Sequence, residues 1–252
     1  MLTAVEIAEF EERGYVVLRS AVPAAIAERC ASEIWEATGC DRDDPATWTE
    51  PVVRLPGLAT EPFAQAATSA PLREAFDQLV GPGAWTPRGS LGTIPVRFPS
   101  DADPGDDGWH VEASFADEYG GMRVDLGSRG RALLMLFLFS EVGADDAPTR
   151  IRVGSHLDVP RHLAAAAGQE MDWMLACVAA VDSSASRPVE YATGRPGDVF
   201  LCHPFLVHAA QPHRGARPRL MAQPPLEHPR PFDLHRPDPP PVVRAVLAGL
   251  GR

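Results

Sequence analysis

The chain has 252 residues, 45% of them hydrophobic and 23% charged, the proportions of a soluble globular domain. A formal net charge of -11 excludes the cation excess that phosphate backbones and anionic membrane surfaces require, so neither nucleic acid nor membrane is an expected partner. All 23 basic residues are arginine, which excludes Schiff-base chemistry through lysine.

Cys30, Cys40, Cys177 and Cys202 form no C-x-x-C pair and read as reduced thiols. The amino terminus shows no basic stretch followed by an apolar run, and with the thiols this predicts a cytoplasmic protein.

Along the chain, Thr3 and Glu6 predict a capping box ahead of a short helix that Gly14 can end. Tyr15 to Leu18 reads as a strand. A second helix follows Pro23, with Val22, Ile26, Cys30 and Ile34 on one face and Gly39 as its stop. A third starts at Pro71, buries Leu72, Phe76 and Leu79, and stops at Gly81-Pro82. After Gly89, short apolar runs alternate with Gly, Pro and Asp turns: Leu91 to Phe98, Ala132 to Ser140, Arg150 to Val153, Val199 to Cys202 and Leu220 to Gln223. This spacing predicts a sandwich or barrel of short strands. The run Ala132 to Phe139 is too short to span a bilayer and reads as a buried strand. One helical insertion is expected from Asp158 to Val178, and the proline-rich tail from Pro224 to Pro241 is expected to be extended, packing over the core or hanging free. The whole, 1–252, reads as a single domain: a mostly helical part over 1–88, a strand-rich core over 89–223, and a tail over 224–252.

Residues i and i+2 on a strand point the same way, so His-x-Glu sets two metal ligands side by side. With a distant histidine, such a pair forms the facial triad of a mononuclear iron site, leaving the opposite face open. His110-Val-Glu112 has this pattern, but eight histidines among 34 acids give about one match by accident, and His156-Leu-Asp158 also matches. Context separates them. His110 follows the polar turn Asp106 to Gly108 and Trp109, whereas His156 sits in a Gly-Ser-His turn with Pro160 beyond it. For the distal ligand both His203 and His208 are candidates, and an arginine follows each at the same separation. Arg214 lies in a turn beside Gly215. Arg219 opens the apolar run Leu220 to Ala222, where a buried guanidinium needs an anion such as a dicarboxylate. That favours His208 with Arg219, and Arg217 on the same face is the fallback.

The chain resembles the phytanoyl-CoA dioxygenase family, which includes ectoine hydroxylase-like enzymes. The resemblance runs from Phe10-Glu-Glu-Arg-Gly-Tyr through Trp109-His-Val-Glu112, Ala147 to His156 and Gly197 to His208, and ends at Arg217-Pro-Arg219 and Gln223-Pro-Pro225. It implies a mainly β fold with flanking helices, a double-stranded β-helix or cupin-like jelly roll. It also implies Fe(II) on His110, Glu112 and His208, 2-oxoglutarate anchored by Arg219, and O2 as oxidant. Two departures stand out: Glu112 occupies a position where the family usually has aspartate, and Ala210 one where it often has a small hydroxyl residue, so Thr149 is a substitute contact to the co-substrate. The implied reaction is hydroxylation of an unactivated C–H bond in a small molecule, a natural-product intermediate being the expected class. Trp109 and Phe115 are candidates for the substrate wall, and Arg97, Arg123, Arg129 and Arg131 for an anionic substrate group, Arg97 foremost. The protein is expected to act as a monomer or homodimer. Two other readings remain at this level: a His2Glu zinc hydrolase, and a jelly-roll protein that binds a small molecule without catalysis.

Overall fold

The computed structural model describes residues 1–252. The Thr3 hydroxyl accepts from the Glu6 amide while the Glu6 carboxylate accepts from the Thr3 amide, closing the capping box on helix Ala4–Arg13. Gly14 ends that helix at φ 85°, a left-handed conformation. A Cβ there would stand 2.5 Å from His156 Nδ1, so the turn also needs glycine for close approach. Helices Ala24–Thr38 and Ala70–Leu79 bury Cys30, Ile34, Leu72, Phe76 and Leu79, the faces their spacing predicts. Helix Glu61–Ala67 and strand Val52–Leu55 lie between them, so the first third holds two strands rather than one.

The main sheet is antiparallel, in the order Tyr15–Leu18, Val199–Cys202, Leu133–Leu138, Met221–Ala222, with Pro225–Leu226 also paired to Leu133–Leu138. Backbone bonds between Arg97 and Arg219 continue it into the pair Ile94–Arg97 and Val52–Leu55. Facing it is a smaller sheet, His208–Ala209, Arg150–Arg152, Val189–Tyr191. Leu133–Leu138 is buried throughout because it is covered on both sides. Leu134, Leu136 and Leu138 pack inward against Ile151, Phe200 and Leu206, while Leu133, Met135 and Phe137 pack outward against the amino-terminal helices. The fold is mainly β with flanking helices, two facing sheets of the cupin-like kind, and the sheets do not close into a barrel.

The expected helical insertion is corrected, and the tail adds a helix that the sequence did not show. The stretch 158–178 is not one helix: Val159–Ala165 and Trp173–Ser183 are separated by a turn with Gly168 at φ 68° and the strand Glu170–Asp172. That strand extends a third small sheet with Phe115–Ala116 and Met122–Asp125. The tail is extended only as far as Pro240. Pro241 then starts helix Pro241–Gly249, whose Val242, Val243 and Val246 are buried in the core. All four cysteines are free, and no helix is long and apolar enough to cross a membrane.

Candidate metal and co-substrate site

The centre of the site is a pairing of main chains. His110 and His208 face each other across an antiparallel bridge and exchange both backbone hydrogen bonds, each 3.0 Å long. Partners in such a pair present their side chains on one face, and the two imidazoles stand with centroids 4.4 Å apart. Glu112, two residues on, shares that face. Imidazole nitrogens and carboxylate oxygen all lie within 4.8 Å of one another.

Each histidine is oriented by its own strand. His110 Nδ1 lies 2.9 Å from the Gly108 carbonyl, and His208 Nδ1 lies 2.9 Å from the Leu206 carbonyl. A carbonyl can only accept, so both Nδ1 atoms carry hydrogen and both Nε2 atoms offer lone pairs to the gap. Glu112 Oε1 faces His208 Nε2 at 3.4 Å, so acceptors converge there, the condition a cation satisfies. Burial would raise the Glu112 carboxyl, but its neighbours, the Arg131 guanidinium among them, outweigh it and hold it at about 2. Burial, reinforced by His208, lowers His110 to about 4. His110 and Glu112 are therefore in their metal-ligating protonation states without help from a metal. The three side chains fit a facial triad.

Beside the triad lies a cavity of about 220 Å³ whose lining includes Arg97, Thr149, Ala210 and Gln223 together with both histidines. Its floor is cationic. Arg97 and Arg219 are paired through their backbones and both are buried. Arg97 donates from Nη2 to Asp106 at 2.7 Å, and Arg54 holds the other oxygen of Asp106 at 2.5 Å. Arg219 donates only from Nη1, to the Ala147 carbonyl at 2.5 Å, and its Nε and Nη2 have no partner. Burial and the neighbouring Arg97 push its pKa well below the usual arginine range. Nε and Nη2 form one edge of the guanidinium, the edge that matches the two oxygens of a carboxylate. A buried cation with that edge free is a site waiting for an anion.

The remaining sequence candidates divide. Thr149 is buried and lines the cavity. Arg217 does not join it: its guanidinium is exposed and bonded to Glu141 and Asp146. Trp109 turns away from the cavity and packs under Arg150 and Arg152, 4.8 and 4.5 Å from its ring centre. Phe115 lies under Arg129 at 4.1 Å in the third small sheet. Arg97 faces the cavity, whereas Arg123 is bonded to Glu170. Arg131 binds Glu112 and not a distant substrate group. Asp106 and Arg54 were not singled out from the sequence; an acid in the turn just before a strand that carries His-x-Glu was the available signal.

His156 and His203 are away from the triad. His203 Nε2 donates to the Val242 carbonyl and its Nδ1 accepts from the Phe205 amide, while His156 Nε2 donates to the Glu11 carbonyl. The two rings are 4.9 Å apart in the core. Burial lowers His156 from its ordinary 6.5 to about 4, and burial with His156 nearby lowers His203 further. Both therefore stay neutral when folded and take up protons when unfolded, so stability is full above pH 6.5 and is lost as pH falls toward about 4. Urea midpoints measured from pH 7 to 4.5 should fall accordingly, and a His156→Gln variant should give a flatter profile; an unchanged slope would count against the burial argument.

The family model described as phytanoyl-CoA dioxygenase (PhyH) matches residues 10–221. Among solved structures, EctD from S. alaskensis with bound Fe is 20% identical, covering 94% of this chain and 82% of that one, with a TM-score of 0.59. HygX from Streptomyces hygroscopicus with nickel and 2-oxoglutarate bound is 18% identical over 88% of this chain and 86% of that one, with a TM-score of 0.55. The epimerase SnoN in complex with Fe3+, alpha ketoglutarate and nogalamycin RO is 17% identical over 87% of this chain and 80% of that one, with a TM-score of 0.58. No curated protein sequence matches the chain. These structures share the fold.

Proposed function

The chain belongs to the phytanoyl-CoA dioxygenase family and is a 2-oxoglutarate-dependent dioxygenase; from this premise we propose that it hydroxylates an unactivated C–H bond of a small molecule, with iron(II) held by His110, Glu112 and His208. The observation that carries the reading is Arg219, whose unpartnered guanidinium edge is buried close to a cavity that also contains the triad histidines. A zinc hydrolase gives that buried charge no partner.

Iron, when bound with the 2-oxo acid and O2, supplies the oxidising chemistry that no side chain can. The residues of the chain bind and orient. Arg219 holds the far carboxylate of 2-oxoglutarate, with Thr149 supplying a hydroxyl from the cavity wall. Arg54 and Arg97 share the single carboxylate of Asp106, so with Arg219 buried nearby the guanidinium groups outnumber the acids, a balance suited to an anion. A natural-product intermediate is the proposed substrate class. Support comes from two fold neighbours, HygX with hygromycin B bound and SnoN of nogalamycin biosynthesis.

Anaerobic titration with iron(II) and then 2-oxoglutarate tests the assignment. A weak visible charge-transfer band should grow with the co-substrate and be absent in Glu112→Ala. Folded protein that binds iron without developing the band would show that the 2-oxoglutarate assignment is wrong.

A further inference from the structure

We infer that Arg131 is a positioning residue that confines Glu112 to a single metal-facing oxygen, keeping one coordination position open. The inference rests on the triad being the iron site. Arg131 places its Nη2 2.9 Å from Glu112 Oε2 and donates from Nε to the Ala113 carbonyl at 3.2 Å, so one guanidinium grips the side chain and the adjoining backbone. The other oxygen, Oε1, faces His208 Nε2 across the gap.

The arginine is itself held firmly. Its amide donates to the Ser128 carbonyl, its carbonyl accepts from the Ser128 hydroxyl at 2.7 Å, and Asp125 accepts from the amide of Arg129. Within this turn Gly130 has φ 89°, and a Cβ there would lie 2.9 Å from the Ser114 carbonyl. The turn leads directly into the buried strand Leu133–Leu138. Arg131 therefore acts from a fixed base.

A cation beside a metal-binding carboxylate opposes the metal's own charge, so its presence needs a reason. The reason lies in the ligand. Glutamate carries an extra rotatable methylene, and its freed carboxylate can swing to offer both oxygens. Two imidazoles, one carboxylate oxygen and a chelating 2-oxo acid leave one position of an octahedron vacant for a diatomic oxidant. A second carboxylate oxygen fills it. The ion pair with Arg131 occupies Oε2 and prevents this.

Nitric oxide binding to anaerobic protein loaded with iron(II) and 2-oxoglutarate, followed by electron paramagnetic resonance, reads that vacant position directly. Arg131→Met and Arg131→Gln should each weaken nitric oxide binding by roughly 10–100-fold, while iron affinity does not fall. Arg131→Lys, which keeps one charged donor, should restore most of it. A purely structural role for Arg131 would lower thermal stability and leave nitric oxide binding unmoved. Iron-loaded neutral variants that bind nitric oxide as the wild type does overturn this inference alone. Wild-type protein that takes up no iron overturns the functional reading and this inference together.

Discussion

Replacing Arg219 with methionine is expected to weaken 2-oxoglutarate binding by roughly 10²–10³-fold, the scale of breaking a buried charge pair, and to leave iron affinity nearly unchanged. The same substitution should act in the opposite direction on stability. In the metal-free protein Arg219 is buried beside Arg97 with two nitrogens unpartnered, a placement that costs desolvation without full repayment in hydrogen bonds. A methionine of comparable length removes the charge and keeps most of the packing, so the metal-free fold should gain about 1–4 kcal/mol. Calorimetric titration with 2-oxoglutarate and urea denaturation of the same variant measure the two signs. A variant that loses stability along with affinity would mean that Arg219 is structural and that its free edge has no ligand.

The second large effect separates two histidines that the sequence sets five positions apart. His208→Ala removes a lone pair from the gap, and should lower iron affinity by more than the roughly 10–100-fold that loss of a supporting partner costs. Because the backbone bridge to His110 does not depend on the side chain, its melting temperature should change little. His203→Ala should do the reverse. It empties part of the core between Phe10, His156 and Phe205 and leaves the Phe205 amide unpaired. The expected cost is roughly 2–5 kcal/mol of stability, with iron binding retained in the folded fraction. Metal affinity and thermal unfolding measured on both variants check the contrast. Equal loss of iron binding in the two would undo the assignment of the distal ligand.

The regular elements were legible where local chemistry alone decides them. Thr3, Glu6 and Gly14 delimit the first helix, and the run around Leu133–Leu138 can only be a strand covered on both faces. The 158–178 stretch was misread because Trp173–Ser183 is apolar on nearly every side, which extends the apparent periodicity across the Gly168 turn. The helix after Pro240 is hidden by composition: a run of prolines signals extended chain, whereas Pro241 occupies the first helical turn, where its missing amide costs nothing.

For the site, spacing left two choices at each step, and context made them: the polar turn favoured His110 with Glu112 over His156 with Asp158, and the apolar run favoured His208 with Arg219 over His203 with Arg214. Trp109 and Phe115 were drawn in by proximity in sequence, yet both stand an odd number of residues from His110, and Trp109 on the same strand necessarily faces the other way. That parity was available. What the sequence could not supply was long-range pairing: Arg97 beside Arg219, Asp106 between Arg54 and Arg97, and Arg131 against Glu112 all depend on strands brought together by the fold.

The double backbone bond between His110 and His208 makes main chain, and not metal, the ruler of this site. The spacing of these two side chains is set when the strands pair, so an arriving ion finds it already made and little ordering remains to be done. Scaffold and ligand chemistry are thereby separable. Any two side chains placed at positions 110 and 208 would start from the same backbone separation, which makes this strand pair a mount on which a different donor set could be tried without redesigning the fold.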